Sequence, residues 1–298
     1  MKNIIEKIIN KHRDLFENAQ KYKRINIGFT NTIYSIDNYI LKICANISNE
    51  DEFAQEINFY RNNNTEFMPK LYGFSVDKRE IPYHYIIIEK LEGCSLFDIW
   101  HKLNEPERES IVKQIVDIMK YFHKIEGKAF DWSSYIGSFV KEYMIELKNI
   151  NQLNNDEINL INKVLMKFDK YLYSEKFVFI HNDLHFDNIF YKDGKIKIID
   201  FESSRYAPVD KELEIIFRMS KKAYKYMNEK NEKYYNSKYY HSLLSYFEKY
   251  YPEAFDVSHL AKRMAIYDLR DSMELYTNFD KEYILKEEIL EACKYILE

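Results

Sequence analysis

The stretch from Phe177 to Glu202 constrains the chain more than any other: Phe-Val-Phe-Ile-His-Asn-Asp-Leu-His-Phe-Asp-Asn-Ile-Phe-Tyr-Lys-Asp-Gly-Lys-Ile-Lys-Ile-Ile-Asp-Phe-Glu. An apolar run, Phe177 to Ile180, delivers His181, Asn182 and Asp183. Two β-type segments, Asn188 to Tyr191 and Lys195 to Ile199, then flank Asp193-Gly194, a strong hairpin-turn signal. Folding that hairpin brings its feet together. Asn188 and Asp200 lie at similar distances from the turn, so across a strand spacing of about 5 Å their side chains reach one shared ligand.

The same stretch gathers acids. Asp183, Asp200 and Glu202 fall in one small region, and two carboxylates ~5 Å apart at an effective dielectric of about 20 repel by roughly 3 kcal/mol. The apolar runs leading into them indicate burial, so a positive charge must offset the repulsion: a divalent metal, a lysine, or a proton shared between carboxyls. Carboxylates with an amide oxygen suit Mg²⁺, which keeps several waters and completes its shell from phosphate oxygens. His181 and His185 are four apart, but they follow a strand and have no third soft ligand nearby, so hydrogen-bonding roles are expected of them rather than zinc.

Upstream, Ile4, Ile5, Ile8, Ile9, Leu15 and Phe16 recur at helical spacing and predict one or two opening helices. From Tyr22 to Ile43 the pattern is that of a small antiparallel meander. Helical spacing returns over Glu50 to Asn62, and Pro69 to Phe74 and Tyr83 to Leu91 supply two further strands. Beyond them Ser95 to Lys170 is helical in pattern, with Ile111, Ile115, Ile118, Met119 and Phe122 forming one apolar stripe. After Pro208 the chain is helical again. The expected architecture is α+β in two lobes: a β-rich N-terminal lobe, 1–91, and a helical lobe, 92–298, carrying the hairpin.

Lys42 ends an apolar strand of the first lobe. A buried lysine is costly unless paired, and Glu56 on the following helix, or Glu52 one turn earlier, offers a partner while the ammonium also faces a phosphate. Gly28 to Thr32 joins two strands, where backbone N–H groups and the Thr30 and Thr32 hydroxyls can cradle phosphate.

Together these residues carry a resemblance. His181-Asn182-Asp183-Leu184-His185-Phe186-Asp187-Asn188, followed by Ile199-Asp200-Phe201-Glu202, resembles the H-x-D-x-x-x-x-N and I-D-[FW]-E signatures of the aminoglycoside phosphotransferase and choline kinase superfamily, which is similar in fold to protein kinases. Lys42, Glu56, the strand end at Glu89 to Leu91, the catalytic stretch and Asp200 occur in the expected order. The resemblance implies transfer of a phosphoryl group from ATP or GTP to a hydroxyl of a small molecule. By analogy Asp183 takes the acceptor's proton, Asn188 and Asp200 hold Mg²⁺, and Lys42, fixed by Glu56, contacts the α- and β-phosphates. Gly28, Thr30, Asn31 and Thr32 cover the phosphates, and the backbone at Glu89 and Leu91 hydrogen-bonds the base. Two departures stand out: the G-x-G-x-x-G loop of protein kinases is absent, and Asn182 replaces the glycine common in the antibiotic-kinase motif.

The segment after Glu202 lacks the A-P-E ending of protein kinases, which favours a small acceptor. Glu202, Asp210, Glu212, Asp268, Asp271 and Glu274 are the acids expected to bind the ammonium groups of an aminoglycoside; Asp268 and Asp271 are three apart and share a helix face. Choline, which calls for an aromatic cage, a sugar or another hydroxylated metabolite is the alternative, and a catalytically silent nucleotide-binding scaffold is a third reading. A net charge of -4 argues against nucleic acid as a partner. Cys44, Cys94 and Cys293 have no metal or disulfide spacing. With no signal-peptide pattern and no apolar run near the ~18 residues of a membrane span, a cytoplasmic monomer is expected.

Overall fold

The computed structural model describes residues 1–16, 21–25, 31–278 and 286–298. Its strands in chain order are β1 (Tyr22–Ile25), β2 (Thr32–Ile36), β3 (Tyr39–Ile43), β4 (Leu71–Ser75), β5 (Tyr85–Glu89), β6 (Cys94–Ser95), β7 (Glu126–Gly127), β8 (Phe177–Ile180), β9 (Ile189–Lys192), β10 (Lys195–Ile198) and β11 (Arg205–Ala207). The chain divides into two compact units, Met1–Lys102 with Phe186–Ser204, and Leu103–His185 with Arg205–Glu298. The β9–β10 hairpin thus groups with the N-terminal strands, whereas the division at 91/92 grouped it with the helices. The physical link is β6, which pairs with β9 through Cys94 opposite Tyr191.

In the first unit five strands form an antiparallel sheet in the order β1-β2-β3-β5-β4. Alternation along the strands sends Tyr34, Ile36, Leu41, Ile43, Tyr85 and Ile87 into one core with Ile5 and Ile8 of the helix Lys2–Lys11. The opening segment is one helix followed by a turn. Lys42 lies between Leu41 and Ile43, so it points to the sheet's other face, and its strand is central, in register with Ile33 on one side and Ile86 on the other. It is therefore no edge charge. The helix Glu50–Asn62 buries Phe53, Glu56, Ile57 and Tyr60, the i, i+3, i+4, i+7 stripe of an amphipathic helix.

The hairpin forms as its turn chemistry dictates. Asp193 and Gly194 both take positive φ, 49° and 82°, and Lys192 pairs with Lys195 across them. At the other end the Ile199 N–H donates to the Asn188 carbonyl at 3.0 Å, closing the feet. Gly93 has φ +99°, and a Cβ there would meet the Tyr191 carbonyl oxygen at 2.3 Å, so the approach of β6 to β9 requires glycine.

The second unit is helical around a three-stranded sheet, β11-β8-β7. The helix Glu105–Phe122 starts in a capping box between Asn104 and Glu107 and buries the whole predicted stripe of Ile111, Ile115, Ile118, Met119 and Phe122. Helices Trp132–Asn149, Asp210–Lys222 and Lys286–Leu297 pack against Leu260–Asn278. Among the described residues no helix is long and apolar enough to cross a membrane.

Candidate active site

In the first unit the positive charge demanded by the acids is Lys42. It is 6% exposed, and its Nζ lies 2.7 Å from Glu56, 2.7 Å from Asp200 and 2.9 Å from Glu202. Glu56, 1% exposed, is the partner, and Glu52 on the exposed face of the same helix is not. Burial disfavours the Lys42 ammonium, but the three carboxylates outweigh it and hold its pKa well above the ordinary lysine value. Burial also pushes the Glu56 carboxyl up, to about 7, against the pull of Lys42.

The helix Glu50–Asn62 fixes both sides of this cluster. One turn beyond Glu56, Phe59 stacks on Phe201 with centroids 4.4 Å apart, and Tyr60 meets the same ring edge-on at 5.6 Å. Phe201 is wholly buried, so its neighbours Asp200 and Glu202 are anchored from the residue between them. Asp200 takes φ 66°, a left-handed conformation costing about 1–2 kcal/mol for most residues and less for aspartate, and it is held there by its bond to Lys42. Glu202, expected to bind substrate, instead joins Lys42 and accepts a hydrogen bond from the Asn31 side chain. One ammonium against three carboxylates leaves the cluster with a surplus of negative charge. Glu56, Asp200 and Glu202 each place an oxygen within 4.8 Å of the others, and this set of hard oxygen donors fits a small divalent cation.

Of the other nucleotide candidates, Thr32 opens β2, and Glu89 ends β5 with its carboxylate 2.9 Å from Lys197 and its N–H on the Lys70 carbonyl. Leu91 follows, half-buried. Gly28 and Thr30 lie outside the described residues. Asn188 is buried at the hairpin foot.

In the second unit the wholly buried strand β8 delivers His181, Asn182 and Asp183. Asn182 takes φ 65°. The backbone N–H groups of His181 and Asn182 donate to the two oxygens of Glu212 at 2.7 and 2.9 Å, and His123 Nε2 lies 3.5 Å from the same carboxylate. Burial raises the Glu212 pKa, but these donors and the neighbouring histidines outweigh it and hold it below the ordinary glutamate value. Asp183 itself is partly exposed, its Oδ2 3.5 Å from His185 Nε2, and its N–H donates to His181 Nδ1. His181 thus serves the loop by hydrogen bonding, and His185 stands beside the Asp183 carboxylate.

The acids expected to bind substrate are otherwise engaged. Asp210, 1% exposed, takes the Arg263 guanidinium in a fork, Nε at 2.7 Å and Nη2 at 2.8 Å, and also accepts from Tyr267. Glu212, 2% exposed, is the clamp on the Asp183 loop. Neither presents a carboxylate to a ligand. Asp268 lies 3.4 Å from Arg218; Asp271 lies 2.6 Å from Arg218 and 2.5 Å from Arg270; Glu274 lies 2.8 Å from Arg270. Burial acts against the charge of Arg218, but Asp271, Glu214 and Asp268 hold it on. These arginines were not anticipated, since each is read from sequence only as one basic residue among many.

Residues 21–224 match the phosphotransferase enzyme family. The chain belongs to that family. It is a phosphotransferase that acts on a hydroxyl of a small molecule. No curated protein matches it by sequence. Its fold is that of solved aminoglycoside kinases, protein-kinase-like in class. ADP-bound APH(2'')-Ib aligns with TM-score 0.67 at 14% identity over 99% of this chain and 96% of that one. The gentamicin complex of APH(2'')-IIa gives 0.68 at 14%, over 98% and 95%. A thermostable mutant of APH(4)-Ia with ADP and hygromycin B gives 0.63 at 16%, over 98% and 97%.

Proposed function

We propose that the protein transfers the γ-phosphoryl group of ATP or GTP to a hydroxyl of a small acceptor, with Asp183 accepting the hydroxyl proton. The observation that carries this reading is the Lys42 cluster, an ammonium held by a buried glutamate beside two further carboxylates. Phosphoryl transfer needs positioning and charge neutralisation more than covalent chemistry. Lys42, kept charged and aimed by Glu56, binds the α- and β-phosphates; Asn31, Thr32 and the backbone at Glu89 and Leu91 are the further nucleotide contacts. Asn188 and Asp200 would hold Mg²⁺, which when bound neutralises phosphate charge. Glu212 fixes the backbone on which Asp183 is carried, and His185 beside its carboxylate orients it.

For the acceptor, an aminoglycoside is supported by the neighbours, whose complexes contain gentamicin, streptomycin and hygromycin B. A second reading, an acceptor that is not a polycation, is favoured by Arg218 and Arg270, which offset part of the charge of Asp268, Asp271 and Glu274. The test is nucleoside diphosphate release over aminoglycosides, choline, sugars and hydroxy acids, with ATP and GTP run separately and Asp183→Ala as the blank. Acceptor-stimulated release that vanishes in the blank is expected. Failure to bind either nucleotide in the presence of Mg²⁺ overturns the reading.

A further inference from the structure

Within the second unit Glu212, the clamp on the loop that carries Asp183, is itself braced. His123 caps the C-terminus of the helix Glu105–Phe122 and is buried. Its Nδ1 lies 2.9 Å from the Tyr251 hydroxyl. Its Nε2 lies 3.5 Å from Glu212 Oε2, the same oxygen that accepts the His181 N–H at 2.7 Å. Buried as it is, Nε2 has no hydrogen-bond partner among the described residues, and the carboxylate is what it faces. Tyr251 is fixed in turn. Its N–H donates to the Phe247 carbonyl at 2.8 Å, and Lys120, one turn before His123, sits over its ring at 4.9 Å while donating to the Tyr250 carbonyl.

These contacts select one form of the imidazole. An ionised carboxylate only accepts, and Glu212 is ionised at neutral pH because its pKa stands below the ordinary value. A lone pair on Nε2 would repel it, so Nε2 carries the hydrogen. In the neutral ring Nδ1 is then an acceptor, and the Tyr251 hydroxyl is its donor. A separation of 3.5 Å is long for a hydrogen bond, and a movement of about 0.5 Å brings it into the ordinary range. The cost of an unmet buried donor favours that movement. We propose that His123 and Tyr251 are positioning residues for phosphoryl transfer: Tyr251 sets the His123 tautomer, the Nε2–H aims Glu212, and Glu212 holds the backbone on which Asp183 is carried. The inference rests on the reading of Asp183 as the base and extends the support of that base to two residues outside its motif.

The test reads the loop directly and turnover separately, on the full chain. Tyr251→Phe removes one oxygen and keeps the ring; His123→Leu removes both ring nitrogens, and His123→Gln returns an N–H toward Glu212. Amide hydrogen exchange at His181 and Asn182 is expected to quicken about tenfold in Tyr251→Phe and His123→Leu, as loss of one charge-assisted contact requires, while the amides of the helix Leu260–Asn278 exchange as before. Turnover should fall in parallel, with kcat lowered about tenfold by a small displacement of the base and KM for nucleotide unchanged, and His123→Gln should recover part of both losses. Nitrogen NMR of histidine-labelled protein at about pH 8 should show His123 protonated on Nε2 alone. A proton on Nδ1, or native exchange at His181 and Asn182 in both Tyr251→Phe and His123→Leu, overturns the inference, while acceptor turnover by the native chain leaves the kinase reading intact. Faster exchange throughout the chain with a native kcat makes the pair merely structural and overturns the inference equally. Faster exchange confined to the two amides, in a chain that phosphorylates no acceptor, upholds the hold on the loop and sinks the kinase reading.

Discussion

Replacing Glu212 with Gln tests whether the loop carrying Asp183 is held by one buried carboxylate. Glu212 is 2% exposed and accepts two backbone N–H groups, from His181 at 2.7 Å and Asn182 at 2.9 Å. A glutamine keeps one acceptor and turns an NH₂ donor toward the other N–H. One charge-assisted bond is lost and one buried donor is left unmet, which costs about 2–3 kcal/mol. The loop has reason to move when released, because Asn182 sits in a left-handed conformation that carries a cost of its own. A displacement of the proposed base by ~1 Å lowers turnover by about 100-fold. Urea unfolding should therefore show a loss of about 2–3 kcal/mol, and the protein that remains folded should show a depressed kcat with an unchanged KM for nucleotide. That split separates positioning from simple instability.

The pH dependence gives a second arm. The Glu212 pKa is lower in the folded chain than its ordinary 4.5, so the folded state binds fewer protons there and the stabilisation is fully present above about pH 4.5. It disappears as pH falls through the lowered value. The stability gap between the native protein and Glu212→Gln should hold steady from pH 7 to 5 and narrow below about 4.5. A gap under ~1 kcal/mol at pH 7 together with native kcat would refute the clamp.

Three further outcomes follow from the same geometry. Asp183→Ala should lower turnover ~10²–10⁴-fold, the usual contribution of a general base, while nucleotide affinity by equilibrium titration stays close to native; near-native turnover removes Asp183 from the chemistry. Lys42→Met strands the buried Glu56 and Glu202 carboxylates beside Asp200 and should lower stability by about 3–5 kcal/mol in urea unfolding, with no change counting against the cluster. Asp210→Asn breaks a buried fork to Arg263 and should cost a similar ~3–5 kcal/mol, yet leave acceptor KM unchanged; a raised acceptor KM at native stability would return Asp210 to substrate binding.

Much of this arrangement is legible in the sequence where it depends on local period. Lys42 stands out because it interrupts an apolar strand, and the choice of Glu56 over Glu52 follows from helical phase, since Glu56 shares its face with Phe53, Ile57 and Tyr60. The hairpin is written in Asp193-Gly194. What local pattern does not carry is long-range pairing. Asp210 meets Arg263, and Arg218 meets Asp271, across 53 residues in each case, so acids that read as a ligand-facing row are already matched by arginines from another helix. Glu202 is a subtler case. Two residues after Asp200 it reads as pointing onward to substrate, but the short 3₁₀ turn Phe201–Ser203 brings it back to Lys42. The clamping role of Glu212 is equally hidden, because its partners are backbone N–H groups 30 and 31 residues away.

The distribution of charge bears on function in a way the total does not. A net charge of -4 over 298 residues says little about any site, yet two acidic groupings of similar make-up differ in how far they are neutralised. Around Lys42 three carboxylates share one ammonium, and at an effective dielectric of about 20 each unmatched pair ~5 Å apart repels by roughly 3 kcal/mol. That surplus is an unfulfilled demand for positive charge, which the proposed Mg²⁺ would meet. Along the helix Leu260–Asn278, Asp271 is bonded to the buried Arg218, while Asp268 and Glu274, each more than a third exposed, lie beside Arg218 and Arg270, so a cation arriving at Asp271 would have to displace a guanidinium already desolvated and bonded. A buried matched pair broken on one side costs about 3–5 kcal/mol, which exceeds the ~0–1 kcal/mol that an exposed ion pair returns. Counting acids therefore overstates the affinity of this helix for ammonium groups.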